Sequence, residues 1–266
     1  MEGWGPFGLA LAAVLALMTL VWLLSLVRRD AGIVDAFWGP GFVLAAWIYA
    51  GGREGPTLRG DLVAALVTLW GVRLSLHILW RSRSRGEDYR YREMRERDPA
   101  GFPRRSLLTV FWLQAGLLWA ISAPLFQAQR PGPAGLAPLD TLGVGLFTLG
   151  FLFEAVGDWQ LARFRADLSN AGRVMDRGLW RYTRHPNYFG DAVLWWGFSC
   201  FALATPGSWW TLYSPVLMTV LLLRVSGVAL LEKKLRETRP AYRSYAKETN
   251  AFLPWLPRRR GRGRPA

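Results

Sequence analysis

The apolar residues of this chain fall into long blocks, and its arginines fall between the blocks. Seven blocks can be drawn, at about 7–27, 33–50, 61–80, 107–127, 139–162, 188–205 and 209–231. Each is near the roughly 20 residues that a helix needs to cross a hydrocarbon core of ~30 Å. The expected fold is all-α integral membrane, a seven-transmembrane-helix bundle. One domain is expected over 1–257, followed by a basic tail at 258–266. The net charge of +14 would point to nucleic acid in a soluble domain. The block pattern points to a membrane protein instead, and no nucleic-acid partner is expected.

The loops set orientation. Arg28-Arg29 follow block one, "RSRSRGEDYRYREMRERDPAGFPRR" follows block three, "RFRADLSNAGRVMDRGLWRYTRH" follows block five, and the chain ends "RRRGRGRPA". The alternate loops are poor in Lys and Arg. The positive-inside rule then predicts an N-terminus outside and a cytoplasmic C-terminus. No cleavable signal peptide of the usual form is expected, because block one lacks a basic segment before it. The single cysteine, Cys200, supports no disulfide framework and reads as a small buried residue. Residues 232–257 are too polar to span. They read as a short cytoplasmic helix followed by a proline-terminated return to the membrane.

Ionisable side chains at membrane depth cost about 2.5–3.5 kcal/mol on insertion scales and mark functional candidates. Asp35 lies near the start of block two. Arg73 and His77 lie in block three, four apart and so on one helix face. Glu154 and Asp158 repeat that spacing in block five. Asp191 opens block six, Arg224 lies in block seven, and Glu232 closes it. Five of them have a structural alternative. Asp158 and Asp191 would fix helix ends against loop arginines, and Asp35 would start a helix. His77 would be a satisfied buried histidine, and Arg224 an ion-pair partner. Taken together, the groups of blocks five to seven cluster beside the Arg-rich loops. That placement suggests one site, open to the cytoplasm, for an anionic ligand.

Arg163, Arg165, Arg173, Arg181 and Arg184 lie within one short loop region, and Arg forks match phosphate oxygens. Trp180, Tyr182 and Tyr188 offer faces to a flat ring. Asp158 or Asp191 can accept from ribose hydroxyls or a carboxamide, and Asn187 can both donate and accept. The composite suits a phosphorylated, multi-ring cofactor. No GxGxxG follows a strand and no GxxxxGK[ST] is present. His77 and His185 lie far apart without a Cys/His cluster, so no metal is expected.

The stretch "GLWRYTRHPNYFGD", preceded by "DWQLARFR" and followed by "LLEKKLRETRPAYRSYAKETNAFLPWLP", resembles the membrane steroid 5α-reductase family. The likeness is greatest to its bacterial DUF1295 branch, for which "VDAFWG" and "RGEDYRY" are also typical, and it covers nearly the whole chain. The resemblance implies a seven-helix bundle in the bacterial inner membrane, with NADPH held in the cytoplasmic half. It implies a lipophilic enone substrate, a 3-keto-Δ4 steroid, entering from the lipid side, and no obligate protein partner. The family's cofactor pattern carries onto Asp158, Arg165, Arg173, Tyr182, Asn187 and Asp191. Arg224, Glu232, Tyr242 and Tyr245 match groups at the end of its last helix. Arg163 and His185, beside these, are expected to help hold phosphates, as is Arg184. Pro186 can start block six, because the N–H it lacks would be unpaired there anyway.

Hydride transfer to an enone also needs a proton and a donor to the carbonyl oxygen. Eukaryotic members use a Glu–Tyr pair for that oxygen. The position matched to that Tyr is Trp70 here, and block two offers Asp35 and Trp38 without a Glu. The catalytic candidates are therefore Asp35, Trp38, Arg73 and His77. Asp35 is the expected proton donor, since an apolar pocket favours the protonated carboxyl. Arg73 is its expected orienting partner. The RHPNY motif is shared with isoprenylcysteine carboxyl methyltransferases, which leaves an S-adenosylmethionine-dependent methyltransferase as one alternative. A non-enzymatic lipid-binding or scaffold protein is the other.

Overall fold

The computed structural model describes residues 5–83, 86–132, 135–225 and 227–258. Regular structure among the described residues is helical throughout. Helix α1 is Gly5–Arg28, and α2 is Trp38–Gly51, entered through a 3₁₀ segment at Ala31–Phe37. Helix α3 is Leu58–Ser82, and α4 is a polar helix at Tyr89–Arg97. Helix α5 runs over Phe102–Ala128, with a π-helical stretch at Leu107–Trp112. Then come α6 at Pro138–Ala166, α7 at Pro186–Leu203, α8 at Tyr213–Val220, α9 at Val228–Thr238 and α10 at Tyr242–Glu248.

Five of these helical stretches are long and apolar enough to cross a membrane: Gly5–Arg28, Ala31–Gly51, Leu58–Ser82, Phe102–Ala128 and Pro138–Ala166. They correspond to the first five apolar blocks. Block six forms α7, whose first two turns carry Asn187, Tyr188 and Asp191 and so lose apolar character. Block seven is not one regular helix. Helix α8 passes into a π-helical turn at Leu221–Val225, and α9 starts afresh at Val228. Of the basic tail expected at 258–266, only Arg258 lies among the described residues. Positions 84 and 85 of the Arg-dense loop also lie outside them.

The chain forms two compact units, Met1–Thr141 with Phe198–Ser214, and Leu142–Gly197 with Pro215–Ala266. In the first unit, α2 and α3 cross where two glycines meet. A Cβ on Gly39 would stand 2.8 Å from the backbone carbon atoms of Gly71. Small residues at a crossing let membrane helices approach closely. Trp22 Nε1 donates to Pro103 O at 2.8 Å and Trp119 Nε1 donates to Phe7 O at 2.9 Å, tying α1 to α5 at both ends. Arg59 and Asp140 form a bidentate buried pair, Nε to Oδ1 at 2.7 Å and NH2 to Oδ2 at 2.9 Å. A buried pair recovers its desolvation cost only with good geometry and further hydrogen bonds. Here Ala137 N supplies one, to Asp140 Oδ2 at 2.7 Å.

The second unit is organised by a glycine seam between α6 and α7. Gly143, Gly150 and Gly157 recur every seventh residue on α6, as do Gly190 and Gly197 on α7. A Cβ on Gly190 would lie 2.5 Å from Glu154 N and against Gly150 O. One on Gly197 would lie 2.9 Å from Gly143 O, and one on Gly157 would lie 3.3 Å from Asn187 N. The seam therefore brings the start of α7 directly onto α6 near Asp158.

Candidate functional site

Two polar clusters are built, one in each unit. In the second unit, α7 begins at Pro186, and its first turn faces α6. Asn187 Nδ2 donates to Asp158 Oδ1 at 3.1 Å. A carboxylate only accepts, so this bond fixes the amide orientation. Asn187 Oδ1 is then turned the other way, buried and without a hydrogen-bond partner. Asp158 itself is only 6% exposed.

The segment just before α7 is clasped from outside the seam. Arg184 is buried, and all three of its guanidinium nitrogens are engaged. Nε donates to Glu232 Oε1 at 2.7 Å, and NH2 lies 2.6 Å from the same oxygen. NH1 donates to Ala246 O at 2.8 Å and to Thr249 O. Arg184 was expected among the phosphate-holding arginines. It is instead consumed by the fold, joining the loop to α9 and α10. His185 is also buried, stacked on Tyr188 with ring centroids 5.6 Å apart, and its Nε2 is 3.5 Å from Glu232 Oε1. Arg236 NH2 reaches Glu232 Oε2 at 3.2 Å.

These contacts set the charge states of the clasp. Burial pushes the Glu232 carboxyl up, but the close His185 ring and the hydrogen-bonded Arg184 guanidinium outweigh it and hold it at about 2. Burial pushes the His185 imidazole down, outweighing the pull of Glu232, so the ring is neutral at pH 7. Tyr242 is pushed up to about 12 by burial and then by Glu232. Tyr245 is raised for the same first reason, and its hydroxyl donates to Trp180 O. Trp180 Nε1 in turn donates to Gly157 O at 3.0 Å. Glu232, Tyr242 and Tyr245 thus brace the loop before α7 from behind.

Four of the expected arginines are exposed: Arg163, Arg165, Arg173 and Arg181. Arg163 stands over the Trp159 ring at 5.7 Å. The backbone of Arg173 is held by Arg239 NH1, which donates to Arg173 O at 2.7 Å. Tyr182 is exposed on the same loop region, Asp191 lies one turn into α7, and Arg224 is exposed on the π-helical turn.

The first unit holds the other cluster. Asp35 sits in the 3₁₀ segment before α2, and residues 86–91, "GEDYRY", fold back onto it. Glu87 accepts from Ala31 N at 2.8 Å and pairs with Arg95 at 2.7 Å, pinning the loop. Arg90 NH2 then reaches Asp35 Oδ2 at 3.3 Å, and Tyr91 Oη donates to Asp35 Oδ1 at 3.1 Å. Gln114 Nε2 donates to Tyr91 Oη at 3.3 Å, and Trp38 Nε1 donates to Gln114 Oε1. Arg90 is thus a cation in contact with Asp35, a contact that the sequence reading did not include. Burial, and then the Asp35 carboxylate, push the Tyr91 phenol up. Arg73 and His77 are half-buried on α3, with the His77 ring 6.2 Å from that of Trp80. Trp70 is fully buried and packs on Phe42 at 5.7 Å. Sequence reasoning missed Tyr91 and Gln114. The signal for Tyr91 was its place in RGEDYRY, a motif of the resemblance with no role assigned.

The family model DUF1295, described as a protein of unknown function, matches residues 21–249. An uncharacterized protein of Schizosaccharomyces pombe is similar at 26% identity over 278 residues, covering 94% of this chain and 80% of the yeast protein. No solved structure matches the chain.

Proposed function

This chain belongs to the DUF1295 family, and we propose that it is an NADPH-dependent membrane reductase of the steroid 5α-reductase type. It reduces the C=C bond of a lipophilic enone. The observation that carries this reading is the Asn187 amide. Its Nδ2 is committed to Asp158, while its buried Oδ1 has no partner. An unsatisfied buried acceptor costs about 1–3 kcal/mol. A ligand that brings a donor there recovers that cost. A nicotinamide carboxamide or a ribose hydroxyl is such a donor. The exposed Arg163, Arg165, Arg173 and Arg181 supply cations for the phosphates, and Tyr182 supplies a ring face.

NADPH, when bound, supplies the hydride that adds to the enone β-carbon. The chain supplies the rest. As the C=C pair moves toward the carbonyl, negative charge grows on that oxygen, and the α-carbon must take a proton. We assign the α-carbon's proton to the Asp35 carboxyl and the donor to the oxygen to the Tyr91 phenol, with Gln114 and Trp38 orienting the phenol and Arg90 holding the carboxyl. A single donor to such an oxygen in a dry site is worth about 2.7–4 kcal/mol.

In this reading α7 is a sixth crossing, and α8 with the π-helical turn and the apolar first turn of α9, ahead of Glu232, is a broken seventh. Non-helical backbone at membrane depth is tolerated where protein or a cavity satisfies it. The Arg-rich loops then face the cytoplasm, with the N-terminus outside and the cofactor side inward, in a bacterial inner membrane.

The test is isotope transfer. Purified protein is given NADPH deuterated at C4, in both stereoisomers, with 3-keto-Δ4 steroids and open-chain isoprenoid enones. One deuterium should appear at the β-carbon of a product, from one stereoisomer only. No transfer from either stereoisomer to any of these enones would refute the reading.

A further inference from the structure

The described end of the chain, 250–258, lies as a strap along residues 182–184. Arg184 N donates to Asn250 O at 2.9 Å, Thr183 Oγ1 donates to Phe252 O at 2.8 Å, and Trp255 N donates to Tyr182 O at 3.0 Å. Phe252 packs edge-on against Phe189 at 5.9 Å. The other apolar side chains of the strap are left uncovered. Trp255 is 70% exposed and Leu256 is 74% exposed.

Between the strap and α6 lies an open apolar recess of about 350 Å³, lined by Phe153, Leu179, Tyr182, Pro254, Trp255 and Leu256. That volume falls within the ~300–1,000 Å³ of small-ligand sites. Two exposed arginines flank the lining residues in sequence. Arg181 adjoins Tyr182, Arg258 follows Leu256 by two residues, and both are exposed. The sequence continues with Arg259 and Arg260. An apolar recess beside exposed arginines complements an acyl chain that ends in an anionic headgroup. Trp255 has the amphipathic character of a residue at the headgroup level.

We propose that this recess binds one anionic phospholipid of the bilayer. Its acyl chain would lie against Phe153, Leu179 and Pro254, and its phosphate on Arg181 and Arg258. The strap's backbone bonds end on Tyr182, Thr183 and Arg184, immediately before Asn187. A lipid in the recess would therefore steady the loop that leads into α7 and the Asn187 amide. The inference rests on the membrane reading and is independent of which cofactor binds.

The test reads lipid proximity at Trp255. The chain has 15 tryptophans, so the fluorescence difference between wild type and Trp255→Phe isolates this one. Brominated phosphatidylglycerol and brominated phosphatidylcholine are compared as quenchers in mixed micelles. Phosphatidylglycerol should quench Trp255 at lower mole fraction. Its advantage should fall about fivefold for each arginine removed in Arg181→Gln and Arg258→Gln. Equal quenching by both lipids would overturn the proposal, leaving a face that meets bulk lipid. No quenching by either, with a change in oligomeric state on dilution, would overturn it in favour of a second copy. Native mass spectrometry of the unmodified protein gives an independent reading. One phosphatidylglycerol should survive delipidation that strips phosphatidylcholine, and loss of both would contradict the site.

Discussion

Gly190→Ala should disable the candidate cofactor site without touching any group in it. The added methyl would stand 2.5 Å from Glu154 N and also against Gly150 O, whereas ordinary van der Waals contact begins at 3.4 Å. Both obstacles are backbone of a packed helix and cannot rotate away. Helices α6 and α7 must therefore part by about 1 Å, since interiors are close-packed and have no slack to absorb the atom. Asn187 lies three residues earlier on the same face of α7. Its 3.1 Å bond to Asp158 would open to roughly 4 Å, beyond hydrogen-bonding range. Hydrogen bonds to charged groups contribute about 1.5–3 kcal/mol. NADPH affinity should therefore fall by about ten- to a hundredfold. Overpacking should cost a further 1–3 kcal/mol or so of stability. Gly145→Ala on α6 is the control. Nothing lies within 4 Å of its Cβ position, and it should gain up to about 1 kcal/mol of helix propensity. Calorimetric titration and thermal unfolding in one detergent measure both effects. Unchanged NADPH binding and stability in Gly190→Ala would refute the claim that this crossing sets the site.

Three further outcomes follow from named contacts. Asn187→Ala should weaken NADPH binding by about tenfold while the protein stays monodisperse, checked by titration with size-exclusion chromatography. Asp35→Asn should lower turnover by about two orders of magnitude or more with NADPH affinity nearly unchanged, and Tyr91→Phe should act in the same direction. Acid should open the clasp. Glu232 titrates at about 2 in the fold against an ordinary 4.5. Its stabilising effect is therefore full above about pH 5 and is lost as pH falls from 4.5 toward 2. Glu232→Gln should be less stable at pH 7, and its unfolding temperature should vary less with pH across that range.

The first five apolar blocks and the five long helices coincide because hydropathy over 20 residues reports length and burial well. The helix start at Pro186 was also legible, from a residue whose chemistry allows few other places. Block seven shows the limit. Its composition is apolar throughout, yet the helix changes hand-over near Leu221–Val225, and hydropathy carries no information about hydrogen-bond register. Asp158 and Asn187 were read as polar groups of one site from the cluster they form with the loop arginines. Which arginine of five becomes buried was not legible. Arg184 is chosen by partners 48 to 65 residues away, at Glu232, Ala246 and Thr249. The same distance problem hid the Arg90–Asp35 contact, which joins residues 55 apart in sequence. The seven-residue glycine spacing went unread in the sequence, because it acquires meaning only when the two helices that share it are known to cross. Arg59 and Asp140 sit at block edges, where charged residues ordinarily meet solvent. Only the fold reveals them as a buried pair.

The central claim is that the Asn187 and Asp158 pair, with the exposed loop arginines, forms a dinucleotide site. Calorimetric titration of the purified protein with NADPH and, separately, with S-adenosylmethionine tests it most directly. NADPH should bind with one site per chain, and S-adenosylmethionine should give no heat beyond dilution. Saturable binding of S-adenosylmethionine with none of NADPH would contradict the account.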